Sequence, residues 1–245
     1  GITVLLDGQG GDENFAGYQY FHGFYLYGLL NKMRLGKLTG ELFKVLFRRQ
    51  DRSAFQTLAF QILPDPIKQR LLLKSVPYVA DTFFEKYVNS SLFYNEFFNA
   101  PDLHTSLVRH FQYKLEHLLR MEDRSSMAFS IEARVPYLDY RLVEYVLGVT
   151  DDIKINSGTS KYLQKLAVGK YTVPDILDRR DKIGFGTPLD EWMADDAWQA
   201  FTAENDRYVQ DVMPGVLHEH HHLPMTGNHR WKVNQLAEWY RITFN

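Results

Sequence analysis

The chain has 245 residues, 45% apolar, 24% charged and 15% aromatic, so it can bury roughly 70% of its unfolded surface around a hydrophobic core. Twenty-eight Lys and Arg oppose thirty Asp and Glu; the net charge of −2 excludes a global field that would gather nucleic acid or an anionic membrane. Cysteine is absent, which excludes disulfide scaffolds, cysteine-bearing zinc sites and a cysteine nucleophile.

In chain order, Ile2 to Leu6 is an aliphatic run that predicts a strand buried on both faces, ending in the turn Asp7-Gly8-Gln9-Gly10-Gly11. Asp12 and Glu13 then open a helix. The uncharged stretch Asn14 to Asn31 is broken by Gln19, His22 and three glycines, too polar for a membrane span. Asp102 is placed to cap a helix carrying Leu103, Leu107, Phe111, Leu115 and Leu118 at steps of four and three. Asp139 is placed to cap another, with Leu142, Val143, Val146 and Leu147 on one side, and Thr187-Pro188 predicts the start of a third. No repeat, low-complexity tract or secretory signal is evident, and residues 1–245 are expected to form one domain, mostly α, at a cytoplasmic location. A two-sided apolar strand needs a hydrogen-bonded neighbour, and no other segment reads as one. The missing strands are therefore expected upstream of Gly1, on the amino-terminal part of a longer α/β protein.

A strand, a glycine turn and a helix together aim successive backbone amides at one point, a geometry suited to an oxyanion or phosphate. Glu13 stands where a dinucleotide fingerprint needs its third glycine, and no G-x-x-x-x-G-K-[ST] run occurs. A calcium loop is excluded too, since counting from Asp7 puts Asp12 at the glycine position and Tyr18 at the glutamate position. Two carboxylates beside a phosphate nest call for a divalent cation, and Asp12 is the candidate Mg²⁺ ligand; both also simply favour a helix amino end.

From Arg120 to Asp139, charges of both signs alternate with core residues. Glu132 and Arg134 lie in an otherwise apolar segment, which predicts that at least one is desolvated and paired, as a structural ion pair or a site. Lys161 and Lys182 both stand in glycine-bearing connections and could meet phosphate oxygens; the spacing favours a solvated surface lysine for Lys161 and a functional cation for Lys182. His218, His220, His221 and His222 read as a solvated loop before Pro224 rather than a metal cluster.

Together these blocks resemble the synthetase domain of the glutamine-hydrolysing asparagine synthetase family. The matching runs are Val4 to Glu13 with Phe15-Ala16-Gly17-Tyr18, Asp123 to Met127 with Glu132 to Asp139, and Lys161 with Arg180 to Phe185. Trp231 to Phe244 is similar to the family's terminal helix, while residues 24–101 carry no assignable pattern. The resemblance implies the carboxyl-terminal portion of an α/β adenine-nucleotide α-hydrolase-like (ATP pyrophosphatase) domain, using ATP and Mg²⁺. It implies that ATP converts the aspartate β-carboxylate into an acyl-adenylate, which ammonia opens to asparagine. On the matching positions, Asp12 would hold Mg²⁺, Gly8, Gln9, Gly10 and Lys161 would line the ATP and pyrophosphate site, Lys182 would stabilise the adenylation transition state, and Glu132 would orient or deprotonate the nucleophile. Gln9 departs from relatives that carry an acid or tyrosine there. The implied partners are aspartate, ammonia or glutamine, a glutaminase domain and a second copy as a homodimer, with no nucleic acid and no membrane. Neither the S-G-G-x-D-S pyrophosphate loop nor an amino-terminal cysteine is present, so this chain alone is expected to turn nothing over. The competing readings are a related amidotransferase acting on another carboxylate, including β-lactam formation, and a silent helical interaction module whose contact surface is the aromatics of Phe15 to Tyr27 and Phe83 to Phe98.

Overall fold

A computed structural model describes residues 1–49, 52–177, 186–218 and 225–244. The elements run β1 (Val4–Leu6), α1 (Gly11–Asn14), α2 (Phe21–Asn31), α3 (Leu35–Lys44), α4 (Arg52–Ile62), α5 (Asp65–Ser75) and α6 (Asp81–Tyr87). There follow α7 (Leu103–His110), α8 (Glu116–Met127), β2 (Glu132–Arg134), α9 (Tyr140–Gly148), α10 (Asp151–Lys154), α11 (Tyr162–Val168) and α12 (Pro174–Leu177). The last are α13 (Leu189–Trp192), α14 (Asp196–Val212) and α15 (Gly227–Phe244). They divide into two compact units, Gly1–Leu63 with Leu92–Arg180, and Pro64–Ser91 with Asp181–Asn245.

The first unit is organised around α2, which is apolar on every side and therefore central rather than peripheral. Its Phe21, Phe24 and Leu26 pack with Leu103 and Leu107 of α7 and with Ile155. Gly23 permits the close crossing of α2 and α4, because a Cβ there would meet the Ala54 carbonyl oxygen at 2.7 Å. These placements correct the interaction-module reading over Phe15 to Tyr27: Phe15, Phe21, Phe24 and Tyr25 are core, not contact surface.

The Asp102 cap forms as expected, its carboxylate accepting the Thr105 N–H at 3.0 Å. Leu103, Leu107 and Leu115 are buried along the predicted stripe. A π-helical turn at Phe111–Leu115 joins α7 to α8 without a break. Asp139 caps α9 through the Arg141 N–H at 3.0 Å. The carboxyl end of that helix is closed by the fully buried Lys154, whose Nζ donates to the carbonyls of Val149 at 2.8 Å and Leu147 at 3.3 Å.

Two sequence expectations about the strands are corrected. β1 has a partner: β2 lies parallel to it, with Val4 opposite Glu132 and Leu6 opposite Arg134. Three residues, two of them charged, are too short and too polar to display a strand pattern. β1 is also not buried on both faces; Leu6 is 70% exposed, since β2 is its one hydrogen-bonded neighbour and the described elements leave its side chains uncovered.

In the second unit α14 packs on α15 around Val209, Leu217, Val233 and Ala237. Across that interface Asn205 donates to Asn234 at 3.0 Å and Asn234 to Thr202 at 3.1 Å, satisfying amides that would otherwise be costly to bury. The predicted helix start at Thr187-Pro188 is displaced: α13 begins at Leu189, Pro188 occupies the cap position, and no side chain caps it. Among the described residues no helix is long and apolar enough to cross a membrane.

Candidate active site

β1 delivers the chain to the glycine turn. The Asp7 N–H extends the ribbon by donating to the Arg134 carbonyl at 2.8 Å, and the Asp7 carboxylate accepts the Gln9 N–H at 2.8 Å. Gly10 then adopts φ +83°, and a Cβ there would overlap the Leu138 side chain. Only glycine satisfies both demands. The single turn of α1 follows, anchored by the Asn14 amide, which donates to the Tyr137 carbonyl at 2.5 Å. The loop is thus packed on the Val135 to Asp139 segment that leaves β2.

Asp12 does not face solvent alone. The Lys161 ammonium lies 2.6 Å from its carboxylate, with the two side chains 35% and 23% exposed. This corrects the surface-lysine reading of Lys161, which spacing could not avoid because the partner is 149 residues away in sequence. Lys161 has φ +54°, and its N–H donates to the Phe15 carbonyl at 3.0 Å, so backbone and side chain are tied to the same loop. Gly17 makes room for the pair, since a Cβ there would overlap both the Asp12 carboxylate and the Lys161 side chain.

Glu132 is not brought to this cluster. It pairs with Val4 at the amino end of the ribbon, and its exposed carboxylate is held by the Arg134 guanidinium at 2.9 Å, which lowers its pKa. The prediction of a pair is met, by Glu132 and Arg134 with each other; the prediction of desolvation is corrected, because both side chains are more than half exposed. Lys182 and its flanking residues 178–185 lie outside the described residues, as do His220, His221 and His222. His218 stands 3.6 Å from Asp81, and among the described residues no group of three or more His, Asp or Glu is disposed to hold a metal. The Asp12 carboxylate is an oxygen donor of the kind that magnesium prefers, and in this structure it is engaged by Lys161.

Behind the loop, Glu13 and Tyr18 meet polar residues that were not singled out from the sequence, Tyr20, His110 and Lys114, and Asp7 separately meets Glu122. Buried Glu13 accepts the Tyr18 hydroxyl at 2.8 Å; burial, then Glu13, raises the phenol's pKa. Tyr18 stacks on Tyr20 at 5.2 Å, and the Lys114 ammonium sits 3.8 Å above the Tyr18 ring. Burial pushes His110 down to about 4, leaving it neutral. The chain of donors then has one direction: Lys114 to the Tyr20 oxygen at 3.1 Å, Tyr20 to His110 Nε2 at 2.9 Å, and His110 Nδ1 to the Ser106 carbonyl at 2.6 Å. On the other side of the loop, Glu122 is pushed up to about 7, first by burial and then by the hydrogen bond and charge of Asp7. A neighbouring like charge disfavours the ionised form of Glu122, in the same direction as its burial. Neither Lys114 nor Glu122 has a local sequence signal, because each acts on residues distant in the chain.

The family model described as Asparagine synthase matches residues 1–241. The chain is 28% identical over 268 residues to Asparagine synthetase [glutamine-hydrolyzing] 1 of Bacillus subtilis (strain 168), an alignment covering 98% of this chain and 40% of that protein. It is 28% identical over 179 residues to Asparagine synthetase [glutamine-hydrolyzing] 3 of the same organism, covering 73% of this chain and 26% of the relative. No solved structure matches. The chain thus spans well under half the length of these relatives. With the family model running almost from end to end, over a glycine loop, an Asp12–Lys161 pair and a parallel ribbon joined to it, the chain belongs to the asparagine synthase family.

Proposed function

We propose that this chain is the carboxyl-terminal part of the synthetase domain of an ATP-dependent, amide-forming ligase, with the adenine-nucleotide α-hydrolase fold completed by polypeptide beyond it. The carboxylate substrate is aspartate. Its β-carboxylate oxygen attacks the α-phosphorus of ATP, the bond to the bridging oxygen breaks, and pyrophosphate leaves. Ammonia, supplied from glutamine by a separate domain, then attacks the acyl carbon; AMP leaves and the nitrogen loses a proton. Adenylation supplies a leaving group that a free carboxylate lacks, and exclusion of water protects the mixed anhydride.

The observation that carries this reading is the Asp12–Lys161 pair fixed against the glycine turn at the carboxyl end of a parallel strand, where open α/β folds bind ligands. Asp12 would hold Mg²⁺, which supplies charge neutralisation on the phosphates. Gly8, Gln9 and Gly10 line the approach of the nucleotide, and Lys161 supplies a cation to phosphate oxygens. Lys182 and Glu132 take the roles that the family resemblance gives them, a transition-state cation and a group orienting the nucleophile; Glu132 must release Arg134 to act. An amine donor needs no acid at position 9, and Gln9 serves there as a neutral hydrogen-bonding group.

The test is ATP–pyrophosphate exchange by the full-length parent with a panel of carboxylates, scored also by AMP release. Exchange that requires aspartate supports the proposal, as does the absence of exchange above blank from the 245-residue chain. Exchange with a different carboxylate, or sustained exchange by this chain alone, would overturn it. Lys182→Ala in the parent is expected to lower turnover about 10²-fold or more, the scale for removing a preorganised charge from a transition state.

A further inference from the structure

Lys161 reaches Asp12 from a turn that is itself unfavourable. Ser157 and Gly158 have φ +52° and +67°, and the turn is closed by mutual hydrogen bonds between Asn156 and Thr159, at 3.1 and 2.8 Å. Left-handed backbone is unfavourable for an L-residue such as Ser157. Two successive amides in this conformation also point to one side, forming a concavity that attracts an anion.

The anion is Glu41, on α3, which is 3% exposed. Its Oε1 accepts the Ser157 N–H at 3.1 Å and its Oε2 the Gly158 N–H at 2.9 Å, one oxygen for each left-handed residue. Lys44, one turn further along α3, stands 3.4 Å from Glu41 Oε1 and donates to the Ser157 hydroxyl at 3.1 Å. Three residues beyond Gly158 the chain reaches Lys161, the next left-handed non-glycine, bonded to Phe15 and ion-paired to Asp12.

We propose that Glu41 is a positioning residue for the site: its carboxylate holds the Ser157-Gly158 turn in its left-handed form, and the turn delivers Lys161 to Asp12. The positioning itself is independent of the reaction assigned above; only its consequence for nucleotide binding rests on that reading. It gives a task to α3, within the stretch of residues 24–101 that carries no recognisable motif.

The experiment reads Lys161 directly. The full-length parent is treated with a limiting acetylating N-hydroxysuccinimide ester, and the acetylation rate of Lys161 is measured by peptide mass spectrometry relative to that of exposed Lys170. Asp12→Asn, which removes the partner, sets the released level. Glu41→Gln replaces one acceptor oxygen by a donor facing an amide N–H, and is expected to raise the ratio about tenfold, the scale of losing a charge-assisted hydrogen bond. Ser157→Gly in the Glu41→Gln background removes the backbone penalty and is expected to restore protection by at least half. A ratio unchanged in Glu41→Gln while Asp12→Asn raises it would overturn the proposal, as would failure of Asp12→Asn to raise it. Should Glu41→Gln not fold, Gly158→Ala probes the same turn: its Cβ would have ordinary contacts at 3.5 Å with Lys44, but φ +67° is strained for alanine. That variant is expected to raise the ratio about fivefold, and an unchanged ratio overturns the proposal. No arm uses nucleotide, so failure of the ligase reading would leave these outcomes unaffected.

Discussion

Gly17→Ala separates the stability of the chain from the geometry of its site. The backbone at Gly17 is not left-handed, so alanine meets no penalty from φ. Its Cβ would instead collide with two side-chain ends, the Asp12 carboxylate and the Lys161 Cε, both able to move. Losing a partly exposed ion pair costs about 0.2–1 kcal/mol, and replacing glycine at a compatible position returns about 0.4–1 kcal/mol through the unfolded chain. The net change in folding free energy is expected to stay within about 1 kcal/mol. Displacing the carboxylate by about an ångström is a different matter, because misplacements of that size can lower rates about 10²-fold. Equilibrium urea denaturation of the 245-residue chain measures the first effect, and pyrophosphate exchange by the full-length parent carrying the substitution measures the second. Unaltered exchange at unaltered stability would refute the argument that Gly17 exists to accommodate the pair. A loss of several kcal/mol in stability would refute it from the other side, since movable side-chain ends would then not be what the methyl group meets.

Glu122 predicts a pH dependence of stability. Its folded-state pKa is raised from 4.5 to about 7, so the folded chain binds this proton more tightly than the unfolded chain does. The stabilisation is fully present below the unfolded pKa and is lost as pH rises through the folded one, and urea midpoints should fall between about pH 5 and 8. Glu122→Gln should flatten that part of the profile, and an equal slope in the variant would exclude Glu122 as its source. Leu107→Ala empties part of the α2–α7 core from a fully buried position and should cost about 2–5 kcal/mol by urea denaturation; a loss under about 1 kcal/mol would mean that the core collapses around the gap.

What the sequence disclosed was local. Asp102 and Asp139 were legible as caps because a capping carboxylate and its amide lie within three residues. The glycine turn was legible because Gly10 answers to a backbone requirement at its own position. α2 carries no amphipathic stripe, being buried on every side, and so its centrality could not be read from periodicity. β2 hid as a charged tripeptide whose strand character depends on β1, more than 120 residues earlier. Lys161 was ambiguous and Glu41 carried no signal for the same reason: a lysine next to a turn and a glutamate on a helix are ordinary until the fold brings Asp12 to one and two left-handed amides to the other.

The π-helical turn between α7 and α8 bears on how β2 comes to lie beside β1. An α-helix advances about 100° per residue, and a π turn accommodates an extra residue without interrupting the rod. The flank of α7 locked into the core by Leu103 and Leu107 is therefore not continued on the flank that α8 presents, and α8 buries none of its residues fully. The angular setting of the rod's far end, and of the strand that follows it, is in effect written as a residue count within Phe111–Leu115. Removing one residue there would turn Glu122 and β2 away from Asp7 and β1, and would shift the buried Leu115 with them.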